Sequence, residues 1–161
     1  MAATADVMEF TRRDVSPVVA RMEELADRGD GWMNLGPGLT PEEFASLPAQ
    51  STVGKWVSGR GPAVPMATWT PAPRRGRGRL AQIGISHGTG PNALARLESD
   101  GVVLPADWQK KQDHAKHGIV VELPDSAESG IVLTWLFRAM VVLSPRVAVG
   151  ENWIAEFYGS S

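Results

Sequence analysis

The chain has 161 residues, of which 43% are hydrophobic and 21% charged. These are the proportions of one folded domain able to bury about 70% of the surface its unfolded chain exposes, and they exclude wholesale disorder, a collagen repeat and a coiled coil. With no cysteine there is no disulfide or thiol chemistry, and 16 basic against 18 acidic side chains, net charge -2, argue against a histone-like or polybasic membrane binder.

Residues 1–14 show no apolar period and are expected to form a flexible tail ahead of a single domain over 15–161. Ser16 then offers an N-cap, Pro17 fits a first helical position, and Val18, Val19, Met22, Leu25 and Ala26 share one stripe, predicting a helix to Arg28. Residues 29–38 hold four glycines and Pro37, and read as a turn anchored by a buried Trp32. The Arg28-Gly29-Asp30 string belongs to that turn. Thr40-Pro41-Glu42-Glu43 is a capping box that opens a two-turn helix stopped by Pro48.

From Val53 the period changes to two. Lys55–Val57 is a short strand, residues 63–70 continue extended at a sheet edge among Pro62, Pro65 and Pro71, and residues 80–85 form a better strand. A long basic tip joins the last two. Ala93, Leu94 and Leu97 predict a helix from Pro91 to Ser99, stopped at Asp100-Gly101, and a loop leads from there to Gly118–Leu123, the strongest strand signal. Pro124-Asp125-Ser126 caps a long helix that is apolar on nearly its whole circumference between Ile131 and Leu143. Pro145 stops it, and Trp153–Tyr158 is a final strand. The expected fold is α+β: a mixed, largely antiparallel sheet of four to five strands packed against a long central apolar helix and shorter amphipathic helices.

The segment Ile83-Gly84-Ile85-Ser86-His87-Gly88-Thr89-Gly90-Pro91-Asn92 runs a strand into a glycine-flanked turn that opens a helix. Such a turn aims backbone N–H groups at an anion, to which Ser86, Gly88, Thr89, Gly90, Asn92 and His117 add donors. It lacks the Gly-Lys-Ser/Thr ending of a phosphate loop and the third glycine of a dinucleotide fingerprint. The middle third of the chain carries 8 of the 16 basic side chains but 4 of the 18 acidic ones, and Arg74, Arg75, Arg77 and Arg79 crowd its tip. Flexible arginine-glycine loops of this kind hold phosphate without reading sequence.

All three histidines lie between residues 87 and 117. Antiparallel pairing of the strands ending at Ile85 and starting at Gly118 would bring His87 and His117 to one sheet end, whereas a parallel crossover would separate them. Together His87, Asp113 and His114 could form an acid-base set. Lys110, Lys111 and Lys116 repel a cation there, so no metal site is assigned, and the sequence leaves any cofactor open. Gly84-Ile85-Ser86-His87-Gly88 also spells the Gly-x-Ser-x-Gly of a nucleophile elbow, in a chain too short for that fold.

The first expectation is a module binding a small anionic, phosphate-bearing ligand at the glycine turn, with a nucleic-acid backbone as a weaker partner. A small hydrolase using a His/Asp pair is the second. The third is a non-enzymatic interaction or assembly subunit, including a homodimer, joined through a sheet edge or exposed tryptophans. No apolar run reaches the ~20 residues of a membrane span and no leader pattern opens the chain, so a cytoplasmic location is expected.

Overall fold

A computed structural model of the chain describes residues 5–38, 42, 64–75, 78–144 and 150–159. The elements run β1 (Asp6–Thr11), α1 (Ser16–Arg28), β2 (Trp32–Pro37), β3 (Met66–Thr70), β4 (Gln82–Ser86), α2 (Ala93–Ser99), β5 (Gln109–His114), β6 (Gly118–Glu122), α3 (Ser129–Leu143) and β7 (Asn152–Tyr158). The capping-box helix at Thr40, the strand at Lys55–Val57, the stop at Pro145, and Arg77 lie outside the described residues.

Seven strands form one sheet in the order β1-β7-β2-β3-β4-β6-β5, and every neighbouring pair is antiparallel. This corrects the expectation of a mixed sheet of four to five strands. Three strands went unread. Residues Asp6–Thr11, within the expected tail, pair over their full length with β7. The expected turn at Trp32 is a central strand between β7 and β3. The expected loop at Lys110 is the edge strand β5, which carries a bulge between Lys110 and Gln112.

Strand alternation sorts the side chains onto two unlike faces. Met33, Leu35, Trp69, Ile83, Ile85, Val121, Trp153 and Phe157 point to one face and are buried. Against them pack Val18, Met22 and Leu25 of α1, Leu97 of α2 and Leu133, Leu136 and Met140 of α3. Burying each large apolar side chain contributes about 1.5–3 kcal/mol, which is the main force holding the helices on this face.

The long central apolar helix is also corrected. α3 has 15 residues, lies in one layer touching both α1 and α2, and exposes Ile131, Thr134 and Arg138 along one side. Phe137 packs edge-on to Trp153 at 4.9 Å and tilts against Phe10 at 5.8 Å, tying α3 to β7 and β1. Trp135 meets Trp108 at 5.7 Å and donates its indole N–H to the Val103 carbonyl at 3.0 Å. No described helix is long and apolar enough to cross a membrane.

Gly118 shows how tightly the middle of the sheet is drawn. Its φ is +79°, and a Cβ there would collide with the Ile85 carbonyl. Only glycine lets β6 start where it does beside β4.

Candidate functional site

The antiparallel β4–β6 pair brings Ser86, His87, His117 and Gly118 to one end of the sheet, but not to one face. Ser86 is exposed on the face away from the helices, while His87, the next residue, is 1% exposed beneath them. The Thr89 N–H donates to His87 Nδ1 at 3.3 Å, and the Thr89 hydroxyl lies 2.8 Å from the same atom. An amide can only donate, so the ring proton sits on Nε2, a buried atom with no hydrogen-bond partner among the described residues. Burial pushes the His87 pKa below its ordinary value, opposed by the charge of Asp113. His87 is therefore a neutral imidazole closing the turn.

Asp113 faces the helices from β5. Its carboxylate accepts from the N–H groups of Ala93 at 3.1 Å and Leu94 at 3.0 Å, the first two residues of α2. The two amides just beyond the expected anion-binding turn at Gly88–Asn92 are thus occupied by the chain's own carboxylate. Gly90 and Asn92 take left-handed backbone angles, and Gly88 and Thr89 complete the turn around His87. A hollow of about 360 Å³ beside Asp113 is lined by Asn92, Leu94, Glu98 and Lys110, and by none of the histidines.

His114 and His117 are exposed at the β5–β6 turn, with rings stacked at 4.7 Å. His114 Nδ1 accepts from the N–H groups of Lys116 and His117 at 3.0 and 3.2 Å, which fastens the hairpin. Because Asp113 points to the helices, His114 points to the other face. The three imidazoles thus surround no common hollow, and among the described residues no three His, Asp or Glu side chains are placed to share a metal ion.

Arg74, Arg75 and Arg79 are exposed at the opposite end of β4, where the Arg74 N–H donates to the Gly29 carbonyl at 3.2 Å. Arg79 lines a cleft of about 500 Å³ together with Asp30, Gln82 and Glu122. Two carboxylates beside one guanidinium make it a mixed-charge cleft. β4 spans five residues, about 15 Å, so histidines and arginines do not converge.

The feature that sequence reading missed is the second face of the sheet, which no described helix covers. Across β1, β7, β2 and β3 it presents Val7 and Glu9; Ile154, Glu156 and Tyr158; Trp32, Asn34 and Gly36; and Met66 and Thr68. Of the five large apolar side chains exposed among the described residues, three lie here: Val7, Met66 and Trp32, at 58%, 50% and 39% exposure. Trp32 and Tyr158, directly opposite in register, stack at 4.9 Å with ring planes 10° apart.

The Tyr158 hydroxyl donates to Glu156 Oε2 at 2.8 Å, and that bond, with some desolvation and the carboxylate's charge, pushes the phenol's pKa above its ordinary value. Thr68 donates to Asn34 Oδ1 at 2.9 Å. Where Gly36 leaves no side chain, a dimple of about 120 Å³ opens between Asn34, Pro37, Met66, Ile154 and Glu156. One available signal was the pair of buried apolar residues two apart, Met33 and Leu35, which implies an outward row of Trp32, Asn34 and Gly36.

Comparison with protein-family models, with curated proteins and with solved structures returned no match to this chain.

Proposed function

We propose that this chain is a non-enzymatic interaction module whose working surface is the face of the sheet at β1, β7, β2 and β3 that no described helix covers. One observation carries the reading: Val7, Trp32 and Met66 are exposed on a single sheet face, with Trp32 stacked on Tyr158 and Met66 beside Gly36, although a helical layer serves the other face. Apolar side chains scattered singly on a surface need no explanation, but aromatic, methionine and aliphatic residues gathered on one sheet face among polar neighbours have the composition of a protein-binding patch. Trp32 and Tyr158 are also rigid, so little conformational entropy is lost when they are covered.

Support for the other readings is weaker. An anionic ligand at the glycine turn would lie next to the Asp113 carboxylate, which fills the first two amides of α2 and repels a second anion. Acid-base catalysis by the His/Asp set would need a free Asp113 carboxylate and His114 on the same side as His87, whereas Asp113 accepts from two amides of α2 and His114 points to the other face.

The test is affinity purification from the source cells with wild type and with Val7→Ser/Met66→Ser, a variant that touches no buried residue. A partner that is stoichiometric with wild type and lost with the variant is the expected result. The same partners at the same yield on both would overturn the reading.

A further inference from the structure

The dimple at Gly36 has a shape and charge that select one kind of partner side chain, and this rests on the reading of the open face as an interaction surface. Met66 and Ile154 form its apolar walls, and Glu156 brings a carboxylate to its edge. Tyr158 engages only Oε2 of that carboxylate, leaving Oε1 for a second donor. Tyr158 is itself stacked on Trp32. Glu9 sits across the strand from Ile154 on the outer side. Among the outward positions of β1, β7, β2 and β3 there are two carboxylates, Glu9 and Glu156, and no lysine or arginine.

We infer that the Gly36 dimple receives an arginine side chain from a basic protein segment, its methylene stem between Met66 and Ile154 and its guanidinium against Glu156 and the Trp32–Tyr158 stack. Guanidinium fits better than ammonium for two physical reasons. Its planar fork can bond a carboxylate and lie on an aromatic face at once, and it is more weakly hydrated, so less is lost on leaving water. The size agrees as well, since about 120 Å³ admits one long side chain and no larger ligand. Complementary charge across the surface also speeds encounter with a basic partner and disfavours polyanions such as nucleic acid.

Gly36 supplies the test with its own folding control. Nothing stands within 4 Å of where its Cβ would lie and its φ is not left-handed, so Gly36→Val fills the dimple without a backbone clash in a strand that suits β-branched residues. The probe is the peptide acetyl-Gly-Arg-Gly-Arg-Gly-amide, titrated into the ¹⁵N-labelled full chain at low and at 0.15 M salt, about one Debye length of 8 Å, beside its citrulline and lysine counterparts. The amides of Asn34, Gly36 and Glu156 and the Trp32 indole N–H are expected to move together. Affinity should fall about tenfold with Gly36→Val and with Glu156→Gln, the scale of one desolvated charged contact. The citrulline peptide should not bind and the lysine peptide should bind more weakly.

Binding unchanged by Gly36→Val overturns the inference. So do shifts centred on Glu23, Glu24 and Asp27 of α1, equal affinity for the lysine peptide, no binding at all, or single-stranded DNA moving the same resonances. The cellular test with Val7→Ser/Met66→Ser fails independently. If it succeeds while the arginine peptide fails, the interaction surface stands and its preference for guanidinium falls.

Discussion

Asp113 and His87 show how residues that look chemical in a sequence are spent on architecture. α2 is seven residues long and has no side-chain cap from its own N-cap residue, Asn92, whose φ is +59°. Its first two N–H groups are satisfied from β5 by Asp113 instead. Asp113→Ala should therefore destabilise the protein by about 1–2 kcal/mol, the usual cost of a lost cap, and Asp113→Asn by less because one acceptor remains. Urea unfolding of the two variants checks the order. His87 carries a pH signature. Its folded pKa lies below the unfolded value of about 6.5, so the unfolded chain takes up the proton first as pH falls. Stability is full above that value and declines as pH drops from there toward the lowered folded pKa. His87→Leu should flatten the dependence of the unfolding free energy on pH below about 6.5.

Elements were legible in proportion to how much apolar surface they bury. α1, with Val18, Met22 and Leu25 on one stripe, and β6, a run of Ile119, Val120 and Val121, announce themselves. β5 reads Gln-Lys-Lys-Gln-Asp-His and cannot, since an edge strand buries little and is guarded by charge. β1 is the other edge, and β2 hid its buried Met33 and Leu35 among glycines and a proline that look like a turn. That the three histidines do not converge was illegible for a related reason: residue order gave the sheet end, but whether a side chain lies above or below depends on register, which is tertiary. Two predictions follow at this scale. Replacing Lys110 and Lys111 by valine should make β5 an adhesive edge, seen as concentration-dependent growth in light scattering while thermal stability holds. Gly118→Ala should lower stability by about 2 kcal/mol or more through its left-handed φ and the Ile85 carbonyl, whereas Gly36→Val should stay within about 0.5 kcal/mol.

At the scale of the whole molecule, the arrangement is one-sided. Among the described residues three helices serve one face of a seven-stranded sheet, and their packing accounts for nearly every large apolar residue described. The other face contributes little to that core, so substitutions there are free to alter binding without altering the fold. Trp32→Ala and Met66→Ser should each move the unfolding midpoint by no more than a few degrees, in contrast to Leu133→Ala, whose 0% exposed side chain should cost about 2–5 kcal/mol. Exposed Val103 and Ile131 lie on the helix side and serve as an internal reference for the sheet side.

That reference makes possible a direct comparison of the two faces in the working environment. Hydroxyl-radical labelling of the purified chain and of the chain in fresh extract of its source cells reads Trp32 and Met66 against Val103 and Ile131. The account predicts several-fold lower labelling of Trp32 and Met66 in the extract, with Val103 and Ile131 unchanged. Equal labelling of all four in both settings, or protection confined to Val103 and Ile131, would contradict it.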